Sequence, residues 1–271
     1  PRLKTIITVS LGLLASAYVA GAIMLALKDD SIAVITEEAA SYATIAIFGA
    51  SGTAGDGILK AALANPDIQE INVVTRRVTP RIQEGVDAGK VQIAIHKDYL
   101  DYSAVLQQVE DVDAVYWAIG ISSVGVDEET YGMIHVDFPV AFASAWSEVS
   151  NKEDISFHYI SSSDISEDSS AMWAREKVRA ERVLFDLAEG SNLRVIAYRP
   201  DYIGPTDEEA HLGQDILYWF FAPIGAAVRA EQIGEAMFEV TARGAQFENG
   251  DKVGTRSIVR YSDAYRRRLV R

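Results

Sequence analysis

A glycine-rich segment, GASGTAG at residues 49–55, follows a short apolar run at residues 45–48 and precedes a helix-like stretch. In this pattern the first glycine permits a tight turn, the second lets backbone approach a pyrophosphate, and the third lets the helix pack closely on the strand. The free N–H groups at the start of the helix favour a bound anion. We therefore predict a dinucleotide-binding loop of the Rossmann type, formed by Gly49, Ser51, Gly52, Thr53 and Gly55.

Two arginines, Arg76 and Arg77, follow the second apolar run at residues 71–75. A carboxylate at this position selects NAD(H), because it accepts hydrogen bonds from the ribose hydroxyls, whereas a guanidinium suits a 2′-phosphate. The pair therefore favours NADP(H), with NAD(H) as the alternative. An exposed basic loop on an acidic protein would have the same sequence.

Two further apolar runs, at residues 91–95 and 113–120, predict a third and a fourth strand. Ala118 and Gly120 are small residues at the end of the fourth, where they leave room for the ribose of a cofactor. Asp98 follows the third run and is either a partner for the adenine amino group or a loop acid. Strand-like and helix-like segments alternate throughout residues 44–271, which predicts a parallel sheet with crossover helices.

The N-terminal segment has no charged residue from Ile6 to Leu27. About 20 apolar residues are enough to cross the core of a bilayer as a helix. We expect a single-pass membrane anchor over residues 1–28 and a tether over residues 29–43. A signal peptide is the main alternative, because the Ala-Ser-Ala sequence at 15–17 is typical of a cleavage site. A buried core helix would rarely be this long without a polar face.

Small residues recur along one side of this apolar helix, at Gly12, Ser16 and Ala20. Such spacing lets another helix approach closely, so we expect the lipid bilayer and a membrane protein as partners of the helix. The same residues are also common in membrane helices that have no partner. Arg2 and Lys4 precede the helix and Lys28 follows it; this one-charge bias favours the N-terminus inside but is too small to fix the side of the domain.

The composition excludes several classes of protein. The chain has 39 acidic and 25 basic residues and a net charge of −14, which argues against a nucleic-acid partner because that needs a basic surface. With 49% hydrophobic residues it can bury a large core. It has no cysteine, so disulfides, thiolate metal sites and cysteine nucleophiles are excluded.

Several segments together resemble the short-chain dehydrogenase/reductase superfamily, and in particular its atypical branch of NmrA-like or Tat-interacting-protein-like NAD(P)-binding proteins. The segments are GASGTAG at 49–55, DAVYWAIG at 113–120, HYISSSDIS at 158–166, MWAREKVRAE at 172–181, YRPDYIGP at 198–205 and VRAEQIGEAM at 228–237. The resemblance covers residues 44–271. It implies a doubly wound parallel sheet with a small C-terminal region on the substrate side.

The resemblance also implies a catalytic row. In the enzymes of this superfamily a serine orients the substrate carbonyl, a tyrosine donates or accepts the proton, and a lysine four residues later holds the ribose and lowers the tyrosine pKa. Here Ser162 and Ser163, beside Ser161, match the serine, and Lys177 matches the lysine, but Trp173 stands at the tyrosine position. An indole N–H only donates hydrogen bonds, so we expect a degenerate site.

Other candidate groups have simpler interpretations. His96 and His158 are expected to be packed histidines within the sheet, and His135 to lie on the helix after the fourth strand. The acidic run at 207–209 with His211 lacks metal-ligand spacing, so we predict no metal site. The aromatic run at 217–221 is core, a substrate pocket, a membrane contact or a partner surface.

Three hypotheses about function follow. In the first, the chain is a membrane-anchored NADP(H)-binding protein with a degenerate site, acting as an accessory subunit of a membrane complex or as a redox sensor. In the second, it is an active NADPH-dependent oxidoreductase on a hydrophobic substrate such as a quinone or lipid. In the third, it is a scaffold that binds no nucleotide. We favour the first, because it accounts for the anchor, the glycine loop and the missing tyrosine together.

Overall fold

The computed structural model describes residues 2–27, 40, 42–206, 208 and 212–270. Nine strands occur in this part of the chain: β1 (Thr44–Phe48), β2 (Glu70–Thr75), β3 (Val91–Ile95), β4 (Ala114–Trp117), β5 (Ile155–Ile160), β6 (Leu193–Arg199), β7 (Tyr202–Gly204), β8 (Ala227–Arg229) and β9 (Lys252–Gly254). Seven of them form a parallel sheet in the order β3-β2-β1-β4-β5-β6-β9. The other two, β7 and β8, form a separate parallel pair.

Ten α-helices flank these strands within the described ranges: α1 (Arg2–Leu27), α2 (Thr53–Ala64), α3 (Pro80–Asp87), α4 (Leu106–Val109), α5 (Glu128–Gly132), α6 (Phe138–Val149), α7 (Met172–Ala188), α8 (Leu212–Phe221), α9 (Ala230–Ala242) and α10 (Thr255–Leu269). A π-helical turn, Met133–Asp137, joins α5 to α6. Short 3-10 turns occur at Ala222–Ile224 and Gly244–Gln246.

The sheet is buried on both faces. In β1, Ile45 and Ile47 point into one apolar core and Ala46 and Phe48 into a second, because successive side chains of a strand point to opposite faces. The first core contains residues of α2, α3, α9 and α10, and the second contains residues of α4, α6 and α7. The predicted doubly wound α/β fold is therefore confirmed, and β7, α8 and β8 form its small C-terminal region.

Helices α2 and α9 pack unusually closely behind the glycine loop. A Cβ on Gly57 would lie 2.3 Å from the backbone carbon of Ala230, and a Cβ on Gly234 would lie 2.7 Å from Cα of Ile58. Both glycines are needed at this crossing because there is no room for any side chain. The crossing fixes the position of α2, which is the helix that begins at the glycine loop.

The N-terminal helix α1 lies outside both cores. Its residues Thr5–Met24 form a span of 20 residues with a mean hydropathy of 2.0, and none of the span is buried. The helix is thus long and apolar enough to cross a membrane, as a signal sequence also is. Most of the expected tether, residues 29–43, lies outside the described residues; at its end Tyr42 donates a hydrogen bond to Phe238 O at 3.0 Å.

Candidate functional site

The glycine loop connects β1 to α2 at the carboxyl edge of the sheet. Gly49 adopts a φ of +84°, and a Cβ there would lie 2.6 Å from the carbonyl carbon of Ala118. A Cβ on Gly55 would lie 2.1 Å from Gly49 O, so these two positions are closed to larger residues. A Cβ on Gly52 would meet only Gly49 O, at 3.5 Å. The open side of the loop is therefore at Gly52, where α2 begins.

A cavity of about 620 Å³ opens beside Gly52. It lies where the chain leaves β1, β2 and β4, which is the edge at which open parallel sheets bind ligands. Its lining residues are Gly49, Ser51, Gly52, Thr75, Arg76, Arg77, Tyr99, Ala118, Ile119, Gly120, Ile121, Ile134 and Phe138. Seven of the residues predicted to hold a cofactor thus lie on one cavity: Gly49, Ser51, Gly52, Arg76, Arg77, Ala118 and Gly120.

The two arginines lie on the wall of this cavity at the end of β2. Arg77 donates a hydrogen bond from its guanidinium to Ser51 O at 3.4 Å, which connects the end of β2 to the glycine loop. Its backbone N–H is held by Thr75 Oγ1 at 3.3 Å. Both guanidinium groups are exposed, so they can pair with an anion in the cavity at little desolvation cost.

The fit of a nicotinamide dinucleotide to this cavity follows from the loop. The empty space at Gly52 and the first N–H groups of α2, which have no partner within the helix, suit a pyrophosphate. The small residues Ala118 and Gly120 line the cavity at the end of β4, and the absence of a Cβ on Gly120 makes room for the His135 ring, whose Cε1 would lie 2.8 Å from it. The residues that line the cavity therefore fit a nicotinamide dinucleotide.

Four of the residues predicted to bind the cofactor do not line the cavity: Thr53, Gly55, Asp98 and Lys177. Thr53 borders an adjoining cavity of about 440 Å³, which shares Ser51, Gly52 and Arg77 with the first. Gly55 is buried beneath the loop, where it allows the close approach to Gly49. The exposed Asp98 accepts a hydrogen bond from Leu100 N–H at 3.2 Å, which places it in the loop after β3.

Lys177 also lies away from the cavity, in the core between α7 and β5. Its Nζ donates to Ile160 O at 2.8 Å and to the Tyr159 hydroxyl at 3.2 Å. Burial lowers the pKa of Lys177 to about 7, against the opposing effect of Glu181. In the structure the amino group of Lys177 therefore has two partners within the protein, both on β5.

The remaining members of the predicted row lie near Lys177. Trp173 is half-buried in the first turn of α7, and Ser162 and Ser163 are half-buried in the loop after β5. The nearby Tyr159 is held in the core: its buried hydroxyl donates to His135 O at 2.9 Å, and burial raises the pKa of Tyr159 far above its ordinary value.

The structure adds residues that sequence reasoning missed. The cavity wall is completed by Tyr99 in the loop after β3, Ile134 in the π-helical turn and Phe138 at the start of α6. His135 lies behind Gly120, with Nε2 at 3.2 Å from Ile121 N, and burial lowers its pKa to about 3. Tyr99 could have been found from the sequence, because it lies in the loop just after the predicted strand β3. Ile134 could not, because a π-helical turn has no clear sequence pattern.

The other candidate groups are structural. His158 is buried in β5, with Nδ1 at 3.0 Å from the Tyr198 hydroxyl and Nε2 at 3.0 Å from Ser156 Oγ. Burial lowers its pKa to about 3, so it is neutral at neutral pH. In the acidic run, Glu208 accepts a hydrogen bond from Lys60 at 2.7 Å. The rest of that run and His211 lie outside the described residues.

Comparison with known proteins gives a consistent fold but distant relatives. No protein-family model matches the sequence. The Leucinostatins biosynthesis cluster protein T of Purpureocillium lilacinum is 27% identical over 174 residues, which are 64% of this chain and 61% of that protein. The chain therefore matches less than two thirds of this relative.

Solved structures are similar over most of the chain. A short-chain dehydrogenase/reductase from Saccharomyces cerevisiae superposes with a TM-score of 0.61 at 14% identity, over 79% of this chain and 96% of that one. BdcA in complex with NADPH gives 0.61 at 15% identity, over 79% and 93%. A 3-oxoacyl-[acyl-carrier protein] reductase from Brucella melitensis in complex with NAD gives 0.62 at 15% identity, over 80% and 97%. The chain has the Rossmann-like fold of the short-chain dehydrogenase/reductases.

Proposed function

We propose that this chain is a membrane-anchored, NADP(H)-binding member of the short-chain dehydrogenase/reductase superfamily, of its atypical NmrA-like branch, whose site is degenerate for carbonyl reduction. It serves as an accessory subunit of a membrane complex or as a redox sensor. One observation carries the proposal. The cavity of about 620 Å³ is lined by the glycine loop and by Arg76 and Arg77, but by none of Ser162, Ser163, Trp173 and Lys177.

The preference for NADP(H) rests on Arg76 and Arg77. Both lie at the end of β2, where the ribose next to the adenine meets the protein in this fold, and neither position has a carboxylate to accept from ribose hydroxyls. The similar structures include one with NADPH and one with NAD, so the fold accepts either cofactor. In this chain the two arginines are what favours NADP(H) over NAD(H).

The degenerate site rests on Trp173 and Lys177. An indole N–H does not ionise near neutral pH, so it cannot serve as a general acid or base. General acid–base catalysis typically contributes about 10²–10⁴-fold to a rate. The ammonium group that would lower a catalytic pKa donates instead to Ile160 O and Tyr159. Nucleotide binding without efficient reduction of generic carbonyls is the expected result.

Calorimetric titration with NADPH and NADH tests the cofactor assignment. A charge-assisted hydrogen bond contributes about 1.5–3 kcal/mol, so Arg76→Ala and Arg77→Ala should each weaken NADPH binding roughly 10- to 100-fold. NADH binding should hardly change, because it has no 2′-phosphate. Arg182→Ala, at an exposed arginine of α7, is the matched control and should leave both affinities unchanged. Equal losses for NADPH and NADH would contradict the assignment of a 2′-phosphate to these arginines.

A second candidate function is favoured by the apolar part of the cavity. Ile119, Ile121, Ile134 and Phe138 lie on its wall, which would suit a hydrophobic substrate such as a quinone or lipid. Hydride transfer that needs no protein proton donor would avoid the objection from Trp173. NADPH oxidation that depends on added quinone, at rates comparable to ordinary reductases, would favour this alternative. A scaffold without nucleotide would show no binding of either cofactor.

A further inference from the structure

Helix α8 has its polarity reversed relative to an ordinary surface helix. Its large apolar side chains face outward: Ile216 is 61% exposed, Leu217 45%, Trp219 69% and Phe220 52%. Its acidic residue, Asp215, faces inward and accepts a hydrogen bond from Arg229 at 2.9 Å. A helix that faces water normally shows the opposite arrangement. This outer face, Ile216–Phe220, therefore fits an apolar environment.

The outer face of α8 is continuous with the apolar surface of α1. The Tyr18 hydroxyl donates to Phe220 O at 2.9 Å, and the two rings lie 4.8 Å apart. The apolar span of α1 is otherwise unburied, and Leu11, Leu13, Leu14 and Val19 are all more than half exposed. The two helices thus present one apolar surface to a single surrounding medium.

The contact also sets the depth of α8 if α1 crosses a bilayer. The span of 20 residues is about 30 Å long at 1.5 Å per residue, which matches the hydrocarbon thickness. Tyr18 lies six residues before its end at Met24, or about 9 Å along the axis. Amphipathic helices that lie in the interface are buried about 5–10 Å deep. Phe220 is therefore held at interfacial depth.

We propose that the outer face of α8 lies in the interface of the same phospholipid bilayer that α1 crosses, so that the domain contacts the membrane at two places. The proposal rests on the membrane anchoring in the proposed function. A second copy of this chain is the less favourable occupant, because a net charge of −14 opposes self-association. An exposed tryptophan is also typical of the interface between membrane and water.

Contact through α8 would orient the domain as well as hold it. The loop from β6 to β7 leaves the carboxyl edge of the sheet, and α8 lies between β7 and β8 in the chain. The glycine loop follows β1 at the same edge, because all seven strands of the sheet are parallel. The edge with the nucleotide cavity therefore lies on the side of the domain from which α8 reaches the bilayer.

Site-specific fluorescence tests this contact in the full-length chain. The sequence has no cysteine, so each single-cysteine variant can be labelled with the environment-sensitive fluorophore NBD. We would label Trp219→Cys and Ile216→Cys on α8, Leu13→Cys on α1, and Glu189→Cys before β6 as an exposed control at the opposite edge. The proteins would be placed in phosphatidylcholine nanodiscs, with nitroxide lipids as the membrane quencher and iodide as the aqueous one.

We expect both α8 labels to be blue-shifted, quenched by nitroxide lipids and shielded from iodide, while the Glu189→Cys label behaves in the opposite way. Quenching of Leu13→Cys together with iodide-accessible α8 labels would overturn the α8 contact but keep the anchor. Loss of nitroxide quenching at Leu13→Cys would overturn the anchoring itself. Shielding of α8 without nitroxide quenching, with energy transfer between labelled copies, would identify a second copy as the occupant and overturn the proposal.

Discussion

Trp173 and Lys177 show how far residue identities alone define the site. Their separation of four residues on α7 was evident in the sequence, as was the tryptophan at the position where the family resemblance implies a tyrosine. The sequence did not show where the Lys177 side chain points, because its position depends on hydrogen bonds to Ile160 O and Tyr159, both in β5. Sequence reasoning named seven candidate cofactor residues that line one cavity. For Asp98 it left two interpretations open, and the structure places this residue in the loop after β3, where it accepts a hydrogen bond from Leu100 N–H.

Gly52→Asp should abolish nucleotide binding. The position has space for a side chain, so the variant is expected to fold, but a carboxylate there would repel the pyrophosphate. We expect NADPH affinity to fall by at least ~100-fold, or about 2.7 kcal/mol. Gly52→Ala is the matched control, with the same backbone change and no charge, and should lose far less. Unchanged NADPH affinity in a calorimetric titration of Gly52→Asp would refute the location of the phosphates.

Lys177 should make stability depend on pH. Its pKa falls from an ordinary 10.5 to about 7 in the fold. Between these values the unfolded chain binds a proton that the folded chain has released, so the free energy of unfolding rises with pH, by at most about 1.4 kcal/mol per unit. Denaturant titrations from pH 7 to 9.5 should show this slope reduced in Lys177→Met and retained in the exposed control Lys97→Met. A slope equal to wild type in Lys177→Met would contradict the buried, proton-releasing lysine.

At the scale of elements, the alternating strands and helices were predictable because each has a simple pattern. Strands buried on both faces of a parallel sheet appear as continuous apolar runs, and the glycine loop marks the first crossover. The π-helical turn Met133–Asp137 was not predictable, although it supplies Ile134 to the cavity and His135 behind it. The close crossing of α2 and α9 also depends on two glycines far apart in the sequence, Gly57 and Gly234.

Gly57→Ala tests that crossing. In an ordinary helix interior the change would stabilise by about 1 kcal/mol, because alanine is the better helix former. Here the new Cβ would lie 2.3 Å from the backbone of Ala230, so α2 and α9 must separate. Overpacking of this kind costs about 1–3 kcal/mol, and we expect a net loss of stability in denaturant titrations. A more stable variant would show that the two helices are not in such close contact.

At the scale of the whole molecule, the structure combines an acidic α/β domain with an apolar N-terminal helix. The helix was evident from composition, since no charge interrupts Ile6–Leu27. Its contact with α8 was not, because Tyr18 and Phe220 are 202 residues apart. Sequence offered four interpretations of the aromatic run at 217–221, and only the exposure of its side chains beside α1 favours a membrane contact among them.

The most direct test of the account is a titration of the full-length protein with NADPH in mild detergent, followed by absorbance of the bound cofactor in the presence of a panel of carbonyl substrates. Any nucleotide that co-purifies would be extracted and identified first. We predict micromolar or tighter NADPH binding, with the bound cofactor remaining reduced over the panel. Absence of both binding heat and extracted nucleotide would contradict the cofactor site, and turnover comparable to ordinary reductases would contradict the degenerate site.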